Sequence, residues 1–135
     1  MHYLDTCICV EFLRGRLREG YQEMRRLGRA EFKLPSIVVA ELFFGAEHSA
    51  NPKREFGIVE QFVSAFDIVP FDAASAREYG RIRQTLGSKG RIIGDRDMMI
   101  AATAIANRAV LVTRNIDEFK RVQGLALETW ADIEC

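Results

Sequence analysis

Apolar residues in this chain recur in two alternating rhythms. Short runs rich in β-branched and aromatic residues, Tyr3-Leu4, Phe32 to Leu34, Phe66 to Val69, Ala109 to Val112 and Leu125 to Leu127, predict strands. Between them the spacing turns helical. Ile8, Phe12 and Leu13 mark a core-facing stripe that Gly15 closes, and an arginine-rich stretch then runs to about Leu27 and stops at Gly28. Ser36 stands where an N-cap belongs, ahead of a helix over Ile37 to Ala46. Pro52 fits the first turn of a helix carrying Phe56, Val59, Phe62 and Val63. Asp72 is placed to cap another, with Tyr79, Ile82 and Leu86 along one face. Gly87, Gly90 and Gly94 bound a basic loop, Lys89-Gly90-Arg91. Asp97 then precedes Met98 to Ala106, a helix without a polar face that must lie at the centre. Strands alternating with helices predict an α/β fold: one domain over residues 1–135, with a central, mostly parallel sheet and helices on both faces.

Composition narrows the setting. The 135 residues are 48% hydrophobic, enough for one core of ordinary size. Nineteen basic and nineteen acidic side chains leave no net charge, so any nucleic-acid binding must rest on a local patch. Arg14, Arg16, Arg18, Arg25, Arg26 and Arg29 crowd the first quarter of the chain. No apolar run approaches the ~20 residues of a membrane span. The chain opens on strand-like residues, so no signal peptide is expected. Cys7, Cys9 and Cys135 are odd in number and spaced for neither zinc nor a disulfide framework. They are expected as small core or terminal side chains in a reduced, cytoplasmic protein.

The candidate chemistry lies in four segments where a carboxylate, or a polar ligand beside one, borders an apolar run. They are His2-Tyr3-Leu4-Asp5-Thr6, Val39-Ala40-Glu41-Leu42, Gly94-Asp95-Arg96-Asp97-Met98-Met99-Ile100 and Val112-Thr113-Arg114-Asn115-Ile116-Asp117-Glu118-Phe119. In open parallel sheets, sites form outside the carboxyl ends of the strands, at a topological switch point. Asp5 follows the first strand directly, and Thr113 and Asn115 follow the Ala109–Val112 strand. Asp97 starts a buried helix, and Glu41 lies inside an apolar one.

Each acid also has a purely structural reading. Asp5 could cap a helix, Asp95 and Asp97 could complement a helix dipole, and Glu41 could pair with an arginine. Asp117-Glu118 could be a solvated loop. Burying several carboxylates together is costly without a shared cation, however, and Mg²⁺ prefers carboxylate oxygens. Such an ion lowers the pKa of a bound water and offsets charge on a phosphate. Hydrolytic phosphoryl chemistry follows, with no need of His2 or His48; His48 is expected at a helix-end surface. Positive charge for a nucleic-acid backbone is expected from Lys89 and Arg91 at the cleft mouth, with Arg14 and Arg16 as the other track.

These segments resemble the PIN-domain ribonucleases, specifically the VapC toxins of bacterial toxin–antitoxin pairs. Leu4-Asp5-Thr6 is similar to the family's opening, and Ala40-Glu41-Leu42-Phe43-Phe44-Gly45-Ala46-Glu47 to its AEL-x-x-GAE helix. Ile93 to Ala102 resembles its IG-x-x-D-x-x-IAA element. Leu111 to Phe119, then Gly124-Leu125 and Trp130, resemble its closing segment. The resemblance covers Tyr3 to Trp130, and the four motifs in order make it specific.

It implies Asp5, Glu41 and Asp97 around Mg²⁺, or alternatively Mn²⁺. Thr6 is expected to support Asp5, with Thr113 as a second supporting hydroxyl. Asn115 and Glu118 are alternatives for the fourth position, ahead of Asp117. Two departures stand out: Cys7 replaces the commoner asparagine, and Asp95 adds an acid beside Asp97. The implied function is an endoribonuclease toxin that cuts structured RNA such as tRNA. A cognate VapB-type antitoxin would neutralise it by laying its C-terminal segment over the acidic cleft. A homodimer and a toxin–antitoxin hetero-oligomer are implied, with the Phe56–Phe66 stretch or the arginine-rich helix as interface. The alternatives are a PIN ribonuclease of RNA processing and a catalytically silent binding module.

Overall fold

A computed structural model describes residues 1–15 and 18–130. Five strands, β1 (His2–Leu4), β2 (Phe32–Pro35), β3 (Asp67–Val69), β4 (Val110–Val112) and β5 (Ala126–Glu128), form one sheet in the order β3-β2-β1-β4-β5. Every pairing is parallel, so the expected mostly parallel sheet is parallel throughout. Three- and four-residue strands suffice because helices cover the sheet, and the central strands are apolar on both faces. Tyr3, Leu4, Leu34, Leu111 and Val112 are all buried.

Seven helices lie among the described residues: α1 (Thr6–Leu13), α2 (Arg18–Leu27), α3 (Ser36–Glu47), α4 (Pro52–Val63), α5 (Ala73–Ser88), α6 (Asp95–Ala106) and α7 (Ile116–Phe119). Most boundaries obey local rules. Gly15 and Gly28 stop α1 and α2 at φ of +67° and +90°, a region costly for a side chain with a Cβ. Asn51 and Asp72 cap α4 and α5 by accepting the backbone N–H three residues on.

Two boundaries differ from expectation. Ser36 is the first residue of α3 and not its N-cap, which is Pro35. Its hydroxyl instead accepts the N–H of Phe71 at 3.2 Å, tying the β3–α5 connection to the start of α3. Helix α6 begins at Asp95, three residues before the expected Met98, so Asp97 sits inside its first turn. Between Met98 and Ala104 this helix buries all but Met99, which fixes it against the sheet. Each large apolar side chain so buried contributes roughly 1.5–3 kcal/mol. Trp130 closes the far side, edge-on to Phe12 and Phe32 with centroids 6.3 and 6.1 Å apart. Cys9 is buried and Cys7 partly so, as core residues; Cys135 lies outside the described residues.

Candidate active site

The strand order reverses between β1 and β4, and the site is built where those two strands end. Register pairs Leu4 with Val112, and the Asp5 N–H adds one more rung to the Val112 carbonyl at 2.9 Å. Asp5 and Thr113 therefore leave neighbouring strands side by side. The Thr113 hydroxyl, fully buried, donates to Asp5 Oδ2 at 2.6 Å, and the Thr6 N–H donates to Oδ1 at 2.8 Å. The Cys7 thiol approaches Oδ2 at 3.8 Å. Asp5 is 6% exposed. Burial pushes its carboxyl up and the Thr113 and Thr6 hydrogen bonds pull it down, with a net rise.

Glu41 enters from the middle of α3. The Thr6 hydroxyl donates to its Oε1 at 2.7 Å, and Arg96 Nε donates to its Oε2 at 3.2 Å. Thr6 thus divides its service: its backbone holds Asp5, and its hydroxyl holds Glu41. The expectation that this hydroxyl supports Asp5 is corrected; Thr113 does that, because it lies on the adjacent strand end.

Asp97 and Asp95 share the first turn of α6 but face opposite ways. Asp97 is half-buried, and its carboxyl is pushed up to about 7. Loss of water is the largest cause, followed by the charges of Asp5, Glu118 and Glu41 and a hydrogen bond with Glu118. Asp95 points outward, accepting from the Tyr79 hydroxyl at 3.0 Å with Arg83 Nη1 at 3.9 Å.

Asp117 and Glu118, for which a solvated loop was the alternative to a site role, belong to α7, a single helical turn. It rotates Glu118 toward Asp97 and leaves Asp117 93% exposed, paired with Lys120 at 3.2 Å. Asn115 and Glu118 are not exclusive. Asn115 Nδ2 donates to Glu118 Oε2 at 3.0 Å, and its N–H donates to the Thr113 hydroxyl at 3.0 Å.

Asp5, Thr6, Cys7, Glu41, Asp97, Arg114 and Asn115 line a cleft of about 520 Å³. Asp5, Glu41 and Asp97 offer the hard oxygen donors that a divalent cation takes. Among the described residues no three acidic, histidine or cysteine side chains stand preassembled around one point. The repulsion among these acids, which adds to the effect of burial on Asp97, is nonetheless the electrostatic condition that a cation relieves.

Basic side chains are distributed differently from expectation. Lys89 and Arg91 are exposed but do not line the cleft. Lys89 ends α5 ten residues past Tyr79, on the order of 15 Å of helix from the turn that holds Asp97. Both Lys89 and Arg91 remain candidates for RNA contact outside the lining of the cleft. Arg14 lies in a groove that shares Thr6 and Glu41 with the cleft, whereas Arg16 falls outside the described residues. Arg114 lines the cleft and Arg96 an adjoining recess that shares Glu41 and Asp97 with it, and sequence reasoning passed over both. Both lie inside the acidic motifs, a signal that was there to use. His48 is exposed, stacked on Phe44, as expected.

A parallel sheet with carboxylates gathered at its switch point matches a known family model. Residues 2–125 match the PIN domain, and the chain belongs to that family. Within it the chain is similar to the tRNA(fMet)-specific endonuclease VapC of Shigella flexneri, 38% identical over 95% of this chain and 96% of the relative. It is also 38% identical to ribonuclease VapC2 of Rickettsia felis, over 96% and 98%. Solved structures agree. A chain of VapBC2 from Rickettsia felis, bound to a promoter DNA fragment, superposes with a TM-score of 0.88 at 39% identity over 96% and 99%. A chain of DNA-bound VapBC from Salmonella typhimurium gives 0.91 at 33% over 96% and 98%.

Proposed function

We propose that this chain is the toxin of a toxin–antitoxin pair, an endoribonuclease that hydrolyses RNA phosphodiester bonds with a divalent metal ion. The observation that carries this reading is the meeting of Asp5, Glu41 and Asp97 at the β1/β4 switch point, with Asp97 raised by burial first and by its acidic neighbours second. The names of the relatives support the ribonuclease class, and the Shigella relative's name supports tRNA as the substrate. Among the described residues no helix is long and apolar enough to cross a membrane.

Asp5, Asp97 and Glu41 would hold the ion, with Mg²⁺ or Mn²⁺ as candidates. When bound, it supplies a water of lowered pKa and offsets the charge of the phosphate. The protein's part is positioning. Thr113 and the Thr6 N–H fix both oxygens of Asp5, so that carboxylate is oriented before any ligand arrives. Asn115 holds Glu118 beside Asp97, placing a fourth carboxylate at the rim of the cleft. Arg96 and Arg114 would meet phosphates at the cleft and Arg14 in the adjoining groove, with Lys89 and Arg91 farther out.

The partner proposed is a VapB-type antitoxin, and the VapBC complexes among the structural relatives support it. A homodimer is proposed as well. Phe56 and Ile58 on α4 and Tyr21 on α2 are exposed, leaving apolar surface for either contact.

Inducing the protein without an antitoxin and mapping cleaved RNA ends tests the reading. Growth arrest with new ends in tRNA is expected from the wild type and not from Asp5→Asn. Purified protein that leaves tRNA uncut in Mg²⁺ and in Mn²⁺ would falsify it.

A further inference from the structure

Arg96 is a cation at the edge of the acidic cleft, in an adjoining recess that shares Glu41 and Asp97 with it. Helix geometry puts it there: successive residues turn by about 100°, so Asp95, Arg96 and Asp97 face Tyr79, Glu41 and the cleft in turn. Its Nε donates to Glu41 Oε2, while the terminal nitrogens of the guanidinium make no hydrogen bond to a described residue. The arginine side chain is 73% exposed and that of Glu41 24%. A pair so open to water is weak and readily exchanged. Glu41 Oε1 is already held by Thr6, so the Arg96 contact engages the second oxygen of a carboxylate that faces Asp5 and Asp97.

We propose that Arg96 is a tethered counter-cation that occupies Glu41 until a divalent ion displaces it, and then turns its guanidinium to the RNA phosphate. The inference rests on the metal-dependent reading above. Three features carry it. Arg96 neutralises one acid in a cleft whose acids repel one another. It does so with one nitrogen, leaving the planar fork that suits phosphate free. A divalent ion at Asp5, Asp97 and Glu41 would compete with it for the same Oε2. Arg96 is therefore a positioning residue that sets when Glu41 is available.

Calorimetric titration of the purified protein with Mg²⁺ tests the competition. Arg96→Gln is expected to bind Mg²⁺ about threefold tighter than wild type, the scale of an exposed ion pair. Arg96→Lys, which keeps the charge, should stay near the wild-type value. With RNA, Arg96→Gln should flatten the salt dependence of kcat/KM by about 0.7 in log–log slope, one phosphate contact on a single strand. An Arg96→Gln protein that binds Mg²⁺ no tighter than wild type overturns the inference, as does an Arg96→Lys protein that binds Mg²⁺ about threefold tighter than wild type. Absence of Mg²⁺ binding by the wild type brings down the metal reading and the inference together; Mg²⁺ binding equal in all three proteins brings down the inference alone.

Discussion

Two short stretches of this chain begin alike and end differently. The first turn of α6 carries Asp95 and Asp97, and α7 carries Asp117 and Glu118. In each, one acid turns inward and the other pairs at the surface. Asp97 faces the cleft while Asp95 meets Tyr79 and Arg83; Glu118 meets Asn115 and Asp97 while Asp117 meets Lys120. The selection is made by what lies behind each turn. Helix α6 is pinned by Met98, Ile100 and Ala101, so Asp97 has one direction available. The α7 turn is anchored by buried Phe119 alone, and Asn115 must hold Glu118 in place. The α6 acid is therefore imposed by packing, and the α7 acid by side-chain hydrogen bonds to Asn115 and Asp97.

The largest test of this contrast is inside the first pair. Asp97→Asn is expected to lower RNA cleavage by on the order of 10³-fold, several kcal/mol of lost charge stabilisation. Asp95→Asn should change it by less than about threefold, as befits an exposed residue. Single-turnover rates on a tRNA substrate decide it, and equal losses would show that both carboxylates serve the cleft.

The second pair should behave the same way with smaller amplitude. Glu118→Gln should cost about 10-fold, the scale of losing a group that orients a ligand. Asp117→Asn should cost nothing measurable, because its carboxylate is in water. Asn115→Ala should resemble Glu118→Gln if the amide is what holds the glutamate. An Asn115→Ala rate equal to wild type would show that Glu118 needs no such tether.

The remaining test is on stability rather than on rate. Asp97 binds its proton more tightly folded, at about 7, than unfolded at an ordinary carboxylate value near 3.8. Between those values the native state holds more protons, so stability falls as pH rises across the window. In EDTA the melting temperature should decline from about pH 4 to pH 7, and Asp97→Asn should flatten that decline. A wild-type melting temperature that climbs over this range would mean Asp97 does not carry the raised value.

Much of this was legible before any coordinates. Gly15, Gly28, Pro52 and Asp72 mark helix ends through backbone and capping rules that act over a few residues. The apolar run from Met98 to Ala106 could only be a central helix. Asp5 was readable as a site acid because a parallel strand leads to the binding edge of its sheet.

What stayed hidden depends on neighbours distant in sequence. Ser36 looked like a helix cap because local chemistry permits that; a backbone N–H 35 residues away claimed its hydroxyl. Thr6 and Thr113 were both legible as supports, yet their division of labour follows from β1/β4 register and from α3 crossing above them. Lys89 and Arg91 seemed close to Asp97 by sequence separation. Neither lines the cleft, whereas Arg114 does and Arg96 reaches Glu41 from the adjoining recess. Sequence by itself determined which elements form and which acids could serve, because propensity, capping and apolar period act locally. The tertiary structure decided which acid faces which partner, because strand register and helix rotation set direction only once the core has packed.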